Sequence, residues 1–267
     1  MPAFPNLKPL SDICVLVTRP EGQADKLQIL LEEQGAKVEF QPAIKILPPD
    51  SWLEVDGVIS RLSEYTYVVF SSVNGVNMFF RRLTELGLGA DALSASCVAA
   101  VGASTAAELE RQGVSVQIVP DEYRAENLAA AIVADVKNRT VEQTPIKALL
   151  FRASRGREIL KSQLESVGVE VTQIVIYQSV DALNPNPEIL EKLNSGKIDW
   201  VVLTSSAIAQ STINMLGEAL RNAKIACISP ITAAVVEKNG FSVDAVAEPY
   251  TMEGLVEAVV EAVSSRQ

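Results

Sequence analysis

The second half of the chain repeats the first, in order and in spacing. At an offset of 133 residues, Val15 to Ile46 lies over Ala148 to Ser179 without a gap, which sets Arg19 on Arg152, Leu27 on Leu160, Gly35 on Gly168 and Val38 on Val171. The same offset lays Val68-Val69-Phe70-Ser71-Ser72 on Val201-Val202-Leu203-Thr204-Ser205. Further along, the offset becomes 127, and Gly102 meets Ser229, Thr105 meets Thr232 and Gly113 meets Gly240. A repeat of this length is too long for a solenoid unit and fits a whole lobe. The chain length of 267 residues agrees, since a domain typically takes roughly 150. Two lobes imply a cleft between them, the usual seat of a small ligand.

Within each half, short β-branched runs alternate with helical spacing. Strands are expected at Ile13–Thr18, Tyr67–Ser71, Cys97–Val101, Val114–Val119, Lys147–Phe151, Val169–Tyr177, Trp200–Thr204, Lys224–Ile228 and Ser242–Val246. Most are apolar throughout, as parallel strands covered on both faces must be. Between them Leu27, Leu30 and Leu31 recur at helical spacing and stop at Gly35, and Leu160, Leu164 and Val167 stop at Gly168. Glycine is the usual residue just past a helix end. The alternation predicts an α/β fold of two similar domains, each a parallel sheet flanked by helices, with ligand sites beyond the carboxyl ends of the strands. The proline-bearing stretches 41–52 and 179–187 occupy matching places and predict linkers, and the polar stretch 138–145 predicts a loop.

Composition narrows the chemistry. The chain has no histidine, which removes imidazole bases, Ser-His-Asp and Cys-His nucleophiles, and zinc sites built on imidazole. With 33 acidic against 23 basic residues the net charge is −10, which argues against nucleic acid or an anionic membrane as the main partner. Cys14, Cys97 and Cys227 are odd in number, far apart and set among apolar neighbours. They read as buried strand residues in a reducing compartment rather than as disulfides or metal ligands. No run of apolar residues approaches a membrane span, and the first residues form no signal sequence. A cytoplasmic protein is expected, or one of the plastid stroma after removal of a transit peptide. Neither a GxGxxG turn after a strand nor a GxxxxGK[ST] loop occurs, so the dinucleotide and P-loop readings lose their support.

Four strand-to-helix turns carry hydroxyl or glycine residues: Ser71-Ser72-Val73-Asn74-Gly75, Gly102-Ala103-Ser104-Thr105, Thr204-Ser205-Ser206 and Ser229-Pro230-Ile231-Thr232. One such turn is ordinarily a helix cap, whereas four facing one cleft point to anion binding. Arg19 and Arg152 end the first strand of each unit, and their planar forks suit carboxylates as well as structural ion pairs. The window from Lys137 to Leu164 is net +5, so it either gathers positive potential for a polyanion or forms a solvated helix face. Tyr177 ends a long apolar strand at a linker. Such a tyrosine often only packs, but without histidine it is a leading candidate for a proton donor.

These segments together resemble the uroporphyrinogen-III synthase family along nearly the whole chain. The resemblance is carried by Val17-Thr18-Arg19-Pro20, Phe70 to Val76, Ala100-Val101-Gly102 with Thr105-Ala106, Phe151-Arg152 with Gly156-Arg157-Glu158, Val175-Ile176-Tyr177, Leu203 to Ser206, and Ser229 to Ala233. Ser71 stands where many members have Thr, Ser229 where Gly is common, and Ile231 where a second Thr occurs. The resemblance implies a monomeric, cofactor-independent, metal-free lyase of two α/β domains joined by a two-stranded β-ladder. It implies domains at 1–41 with 180–267 and at 46–176, with linkers at about 42–45 and 177–179. The implied reaction closes hydroxymethylbilane to uroporphyrinogen III, inverting ring D and releasing water. A transient contact with hydroxymethylbilane synthase is implied as well. On this reading Tyr177 is catalytic, and Arg19, Ser71, Ser72, Asn74, Gly102, Ser104, Thr105, Arg152, Arg157, Thr204, Ser205, Ser206, Lys224, Ser229 and Thr232 bind substrate. The competing class is a non-catalytic two-lobed sensor or binding protein for an anionic small molecule.

Overall fold

The computed structural model of the chain describes residues 8–20, 22, 25–122, 124–139, 145–155 and 158–265. In chain order the elements are β1 (Cys14–Val17), α1 (Asp25–Glu33), β2 (Lys37–Phe40), β3 (Ile44–Leu47), α2 (Leu53–Ile59), β4 (Tyr67–Phe70), α3 (Val73–Glu85), β5 (Cys97–Ala100), α4 (Ala103–Arg111), α5 (Ala125–Asn138), β6 (Lys147–Ala153), α6 (Ile159–Glu165), β7 (Glu170–Asp181), α7 (Pro187–Asn194), β8 (Trp200–Leu203), α8 (Ser206–Leu216), β9 (Lys224–Cys227), α9 (Pro230–Lys238), β10 (Ala245–Val246) and α10 (Met252–Ser264). They form two five-stranded sheets, ordered β10-β9-β8-β1-β2 and β3-β7-β6-β4-β5. The chain divides into Met1–Lys45 with Val180–Gln267, and Ile46–Ser179.

The sequence repeat survives as strand register. In the first unit Cys14 pairs Lys37 and Val17 pairs Phe40 in a parallel ladder. At the offset of 133 the second unit pairs Lys147 with Glu170 and Leu150 with Gln173, also in parallel. Val15 opposite Trp200 corresponds to Ala148 opposite Tyr67, and Trp200 opposite Lys224 corresponds to Tyr67 opposite Cys97. A slip of one residue would turn every buried side chain to the wrong face, so equal registers mean that corresponding side chains point to corresponding layers. Gly35 and Gly168 close the corresponding helical segments at φ 93° and 84°, a left-handed geometry that glycine adopts without strain.

Alternation along the strands divides the core of the second unit. Val68, Phe70, Val98, Leu149, Phe151 and Ile176 face α2, α3 and α4. Tyr67, Val69, Ala99, Ala148 and Leu150 face α5 and α6. Phe70, Phe79 and Phe151 stack with ring centroids 4.9 to 5.4 Å apart, beneath the carboxyl ends of β4 and β6. Each buried ring contributes about 1.5–3 kcal/mol of transfer free energy. In the first unit Val15, Val17, Trp200 and Val202 pack toward α1 and α10 in the same alternation.

Both stretches expected as linkers hold a boundary between the two compact units, after Lys45 and after Ser179; the first carries the edge strand β3 beside β7, and the second begins inside β7, which continues to Asp181. Two other expectations change. The expected strand Val114–Val119 is reduced to one parallel bridge, Ala99 with Ile118. Its repeat partner, Ala226 with Ala245, belongs to the two-residue β10. Finally, α5 reaches Asn138, so helix replaces the start of the expected loop at 138–145, while 140–144 lie outside the described residues.

Candidate active site

All four hydroxyl or glycine turns follow carboxyl ends of strands. In the second unit Ser72 is the N-cap of α3, accepting the Gly75 N–H at 3.1 Å. Gly102 caps α4 without a side-chain bond. In the first unit Ser205 accepts the Ile208 N–H at 3.2 Å to cap α8, and Ser229 accepts the Thr232 N–H at 3.3 Å to cap α9. Each helix start has first-turn amides that no helical carbonyl can satisfy. The three serine caps use one apiece.

Tyr177 sits where β7 pairs with the carboxyl end of β6, opposite Ala153. Its hydroxyl lies 3.1 Å from the Ser72 hydroxyl, so β7 and the first turn of α3 meet at this pair. Ser71 turns the other way and donates to the Phe151 carbonyl at 3.0 Å. Tyr177, Ser71, Arg152, Arg155 and Gln173 line a pocket of about 240 Å³. Within it Arg152 pairs with Glu158 and donates through Nε to the Ala153 carbonyl at 3.1 Å. Gln173 donates to both Glu158 oxygens at 3.1 and 3.2 Å. These hydrogen bonds from Gln173 and Arg152 hold the Glu158 carboxyl below its ordinary range. Neither Gln173 nor Glu158 is among the expected site residues: Gln173 lies on β7 opposite Leu150, and Glu158, part of the family segment Gly156-Arg157-Glu158, caps α6.

In the first unit Arg19 follows β1 as Arg152 ends β6, and its Nη1 reaches the Met252 sulfur at 3.9 Å. Burial pushes its guanidinium below the usual value, although arginine stays charged at any physiological pH. Thr204 follows β8 with a buried Oγ1 that has no hydrogen-bond partner among the described residues. Ser206 donates to the Ile231 carbonyl at 3.4 Å, tying the α8 and α9 starts together. Thr232 is 1% exposed and faces Ser229 at 3.2 Å, so its hydroxyl supports the turn from below. Thr105, 2% exposed, is likewise buried in the first turn of α4, whereas Ser104 there is exposed and Asn74 in α3 half-buried.

Lys224 does not join this group. It begins β9, at the amino edge of the sheet, with its ammonium 5.3 Å from the Trp200 ring centroid. A larger pocket, of about 480 Å³, lies there between Asp199, Arg221, Lys224 and Asp244, without any of the hydroxyl turns. Arg157 lies outside the described residues. The basic window is not one patch either. Lys147 opens β6 beside Glu64, Arg152 lies near its other end, and Arg139 and Lys161 pair with Asp135 and Glu165 on α5 and α6.

The cysteines are free thiols. Burial raises all three, Cys227 up to about 12, which withholds the thiolate that nucleophilic or metal-binding cysteine needs. Among the described residues there is no cluster of metal-ligating side chains and no helix long and apolar enough to cross a membrane.

Comparison with known proteins gives one consistent result. Residues 25–257 match the family model described as uroporphyrinogen-III synthase HemD. A uroporphyrinogen-III synthase from Chlorobaculum parvum is 28% identical over 93% of this chain and 98% of its own length. One from Synechococcus elongatus is 26% identical over 94% and 96%. Among solved structures, a mutant uroporphyrinogen III synthase of Thermus thermophilus aligns at a TM-score of 0.64 and 18% identity, over 95% of this chain and 99% of that one. The Helicobacter pylori enzyme aligns at 0.62 and 16%, over 93% and 99%. At those identities the structural matches speak for the fold.

Proposed function

The chain belongs to the uroporphyrinogen-III synthase family, and from that premise we propose how its residues divide the work. It is a cyclising lyase of tetrapyrrole biosynthesis that acts on a small-molecule tetrapyrrole substrate. The linear substrate, hydroxymethylbilane, carries carboxylates on every ring and closes without help to the wrong isomer. The enzyme's main task is therefore to hold one folded conformation, which is positional catalysis. The turns at Ser72, Gly102, Ser205 and Ser229 receive carboxylates through first-turn amides, and Arg19 and Arg152 offer forked charge. Ser71, Asn74, Ser104, Thr105, Thr204, Ser206 and Thr232 shape those turns. Lys224, at the far edge of its sheet, has no part in this reading.

Tyr177 gives the proton that lets the hydroxyl leave as water. Ring D then attacks through a spiro intermediate and is inverted before closure. What supports the reading is the equal register of the two sheets: it gives each unit an arginine and two capped turns at the carboxyl edge. The net charge of −10 is offset locally by these cations and helix starts. The enzyme works as a cytoplasmic or stromal monomer that receives its unstable substrate during transient contact with hydroxymethylbilane synthase.

The decisive experiment separates the product isomers by HPLC after freshly made hydroxymethylbilane meets the protein. Type III product is expected, and Tyr177→Phe should slow it. Type I alone would refute the activity; full turnover by Tyr177→Phe would refute the role of the phenol.

A further inference from the structure

Ser72 holds two partners on one oxygen. Its Oγ accepts the Gly75 N–H at 3.1 Å and stands 3.1 Å from the Tyr177 hydroxyl. The phenol ring has little freedom: Tyr177 is 6% exposed and belongs to the core cluster with Phe70, Phe79, Phe151 and Ile176. Gly75 leaves room for the pair, since a Cβ there would meet Ser72 Oγ at 3.3 Å and Tyr177 Cε1 at 4.0 Å. A serine hydroxyl has one proton and two lone pairs. While both hydroxyls are protonated, either can donate to the other. Once Tyr177 has given its proton away, only Ser72 has a hydrogen left to donate.

We propose that Ser72 is a positioning residue for the reaction, holding the Tyr177 hydroxyl in place and donating to the phenolate that proton transfer leaves behind. The inference rests on Tyr177 being the proton donor. In that step the C–O bond of the substrate's hydroxymethyl group breaks with both electrons on oxygen, and the Tyr177 proton completes the departing water. The pyrrole nitrogen lone pair fills the vacated carbon, leaving an azafulvenium and a phenolate. The proton released from the terminal pyrrole carbon at ring closure returns to the phenolate, so the enzyme ends as it began. A hydrogen bond to an ionised oxygen is roughly twice as strong as one between neutral groups. The Ser72 bond therefore tightens as the phenolate forms, and a contact stronger in the transition state acts on kcat rather than KM. A serine that only bound a substrate carboxylate would act on KM.

The test uses the full chain and steady-state turnover of hydroxymethylbilane, with thermal melting alongside. Aspartate caps a helix as well as serine does but is an acceptor only at neutral pH, whereas threonine caps and donates. Ser72→Asp should keep the fold and lose kcat by roughly 10- to 100-fold; its added charge at a carboxylate-receiving turn raises KM as well, so kcat is the readout. Ser72→Thr should recover most of that loss. The double variant Ser72→Ala with Tyr177→Phe should be no slower than Tyr177→Phe alone, because the serine has no phenolate left to serve. The inference is overturned if Ser72→Asp turns over like the parent, if KM moves instead of kcat, or if the losses in the double variant multiply. That last comparison is read against Tyr177→Phe and decides the matter even where the Asp variant melts early. A Tyr177→Phe enzyme at parental rate would remove the phenol's role and the inference with it, whereas a slow Tyr177→Phe beside a fast Ser72→Asp would remove Ser72 alone.

Discussion

At Gly75 a single added methyl group separates packing from chemistry. The Cβ of alanine would press on Ser72 Oγ from 3.3 Å, while alanine itself is the better helix former. Gly75→Ala should keep the melting temperature near that of the parent yet lower kcat roughly ten-fold, short of the ~100-fold that a 1 Å misplacement costs. Stopped-time HPLC of the products measures it. Glu158 gives a prediction of opposite sign. Its carboxylate occupies Arg152, the place a substrate carboxylate would take, so Glu158→Gln should lower KM by roughly 2- to 5-fold, the scale of an exposed ion pair. An unchanged or higher KM would show that the pair only steadies the start of α6. At this scale the sequence was informative about residue type and place along the chain: the hydroxyl turns and both arginines were readable as strand-end residues. What each side chain grips was not readable, because Ser72 meets Tyr177 from another element and Glu158 gathers Arg152 and Gln173 from two strands. Lys224 was named only through the resemblance; as the first residue of an expected strand it lies at the amino edge of the sheet.

Among the elements, α2 is joined to α3 by one charged clamp, Arg82 gripping Asp56 through Nε at 2.7 Å and Nη2 at 2.6 Å while its guanidinium lies 5.0 Å from the Trp52 ring centroid. Those bonds hold the Asp56 carboxyl below the ordinary carboxylate range. A group with a depressed folded value stabilises the fold above its unfolded value, about 3.9, and loses that contribution as pH falls through the folded one. Asp56→Asn should therefore melt earlier than the parent at pH 7, and the gap should close as pH falls below the ordinary carboxylate range. A gap that widens in acid would reverse the sign argued here. The start of α10 is tighter still, because a Cβ on Gly254 would lie 2.1 Å from the Pro249 carbonyl oxygen. Gly254→Ala should cost about 1–3 kcal/mol of stability through backbone displacement, measured by denaturant unfolding. Elements that were legible are those with a pattern of their own: apolar central strands and helices ended by glycine. Both β2, with its half-exposed Lys-Val-Glu-Phe, and β3, between prolines, are short edge strands. Their existence depends on a neighbour, which local sequence does not encode.

For the whole molecule, the repeat and the compact units divide the chain differently, and the sheet orders explain how both can hold. The β1-α1-β2 segment corresponds to β6-α6-β7, and β8-α8-β9 to β4-α3-β5, with the same registers. Each sheet needs one segment of each kind, but the chain pairs its first such segment with its last and encloses the middle two between them. Since the two β-α-β segments are alike, the repeat alone fits a cut near residue 140 as well as the exchanged arrangement. Expressing fragments distinguishes the two. Residues 46–179 retain β6, β4 and β5 whole, both core layers and all but the ends of β3 and β7, so this fragment should fold alone and unfold cooperatively. Residues 1–140 keep β1 with β2 and β4 with β5, but remove β8 from β1 and β6 from β4, opening both sheets through the middle of their cores. That fragment should show no cooperative transition by circular dichroism. Cooperative folding of 1–140 together with failure of 46–179 would mean that the stable lobes follow the order of the chain.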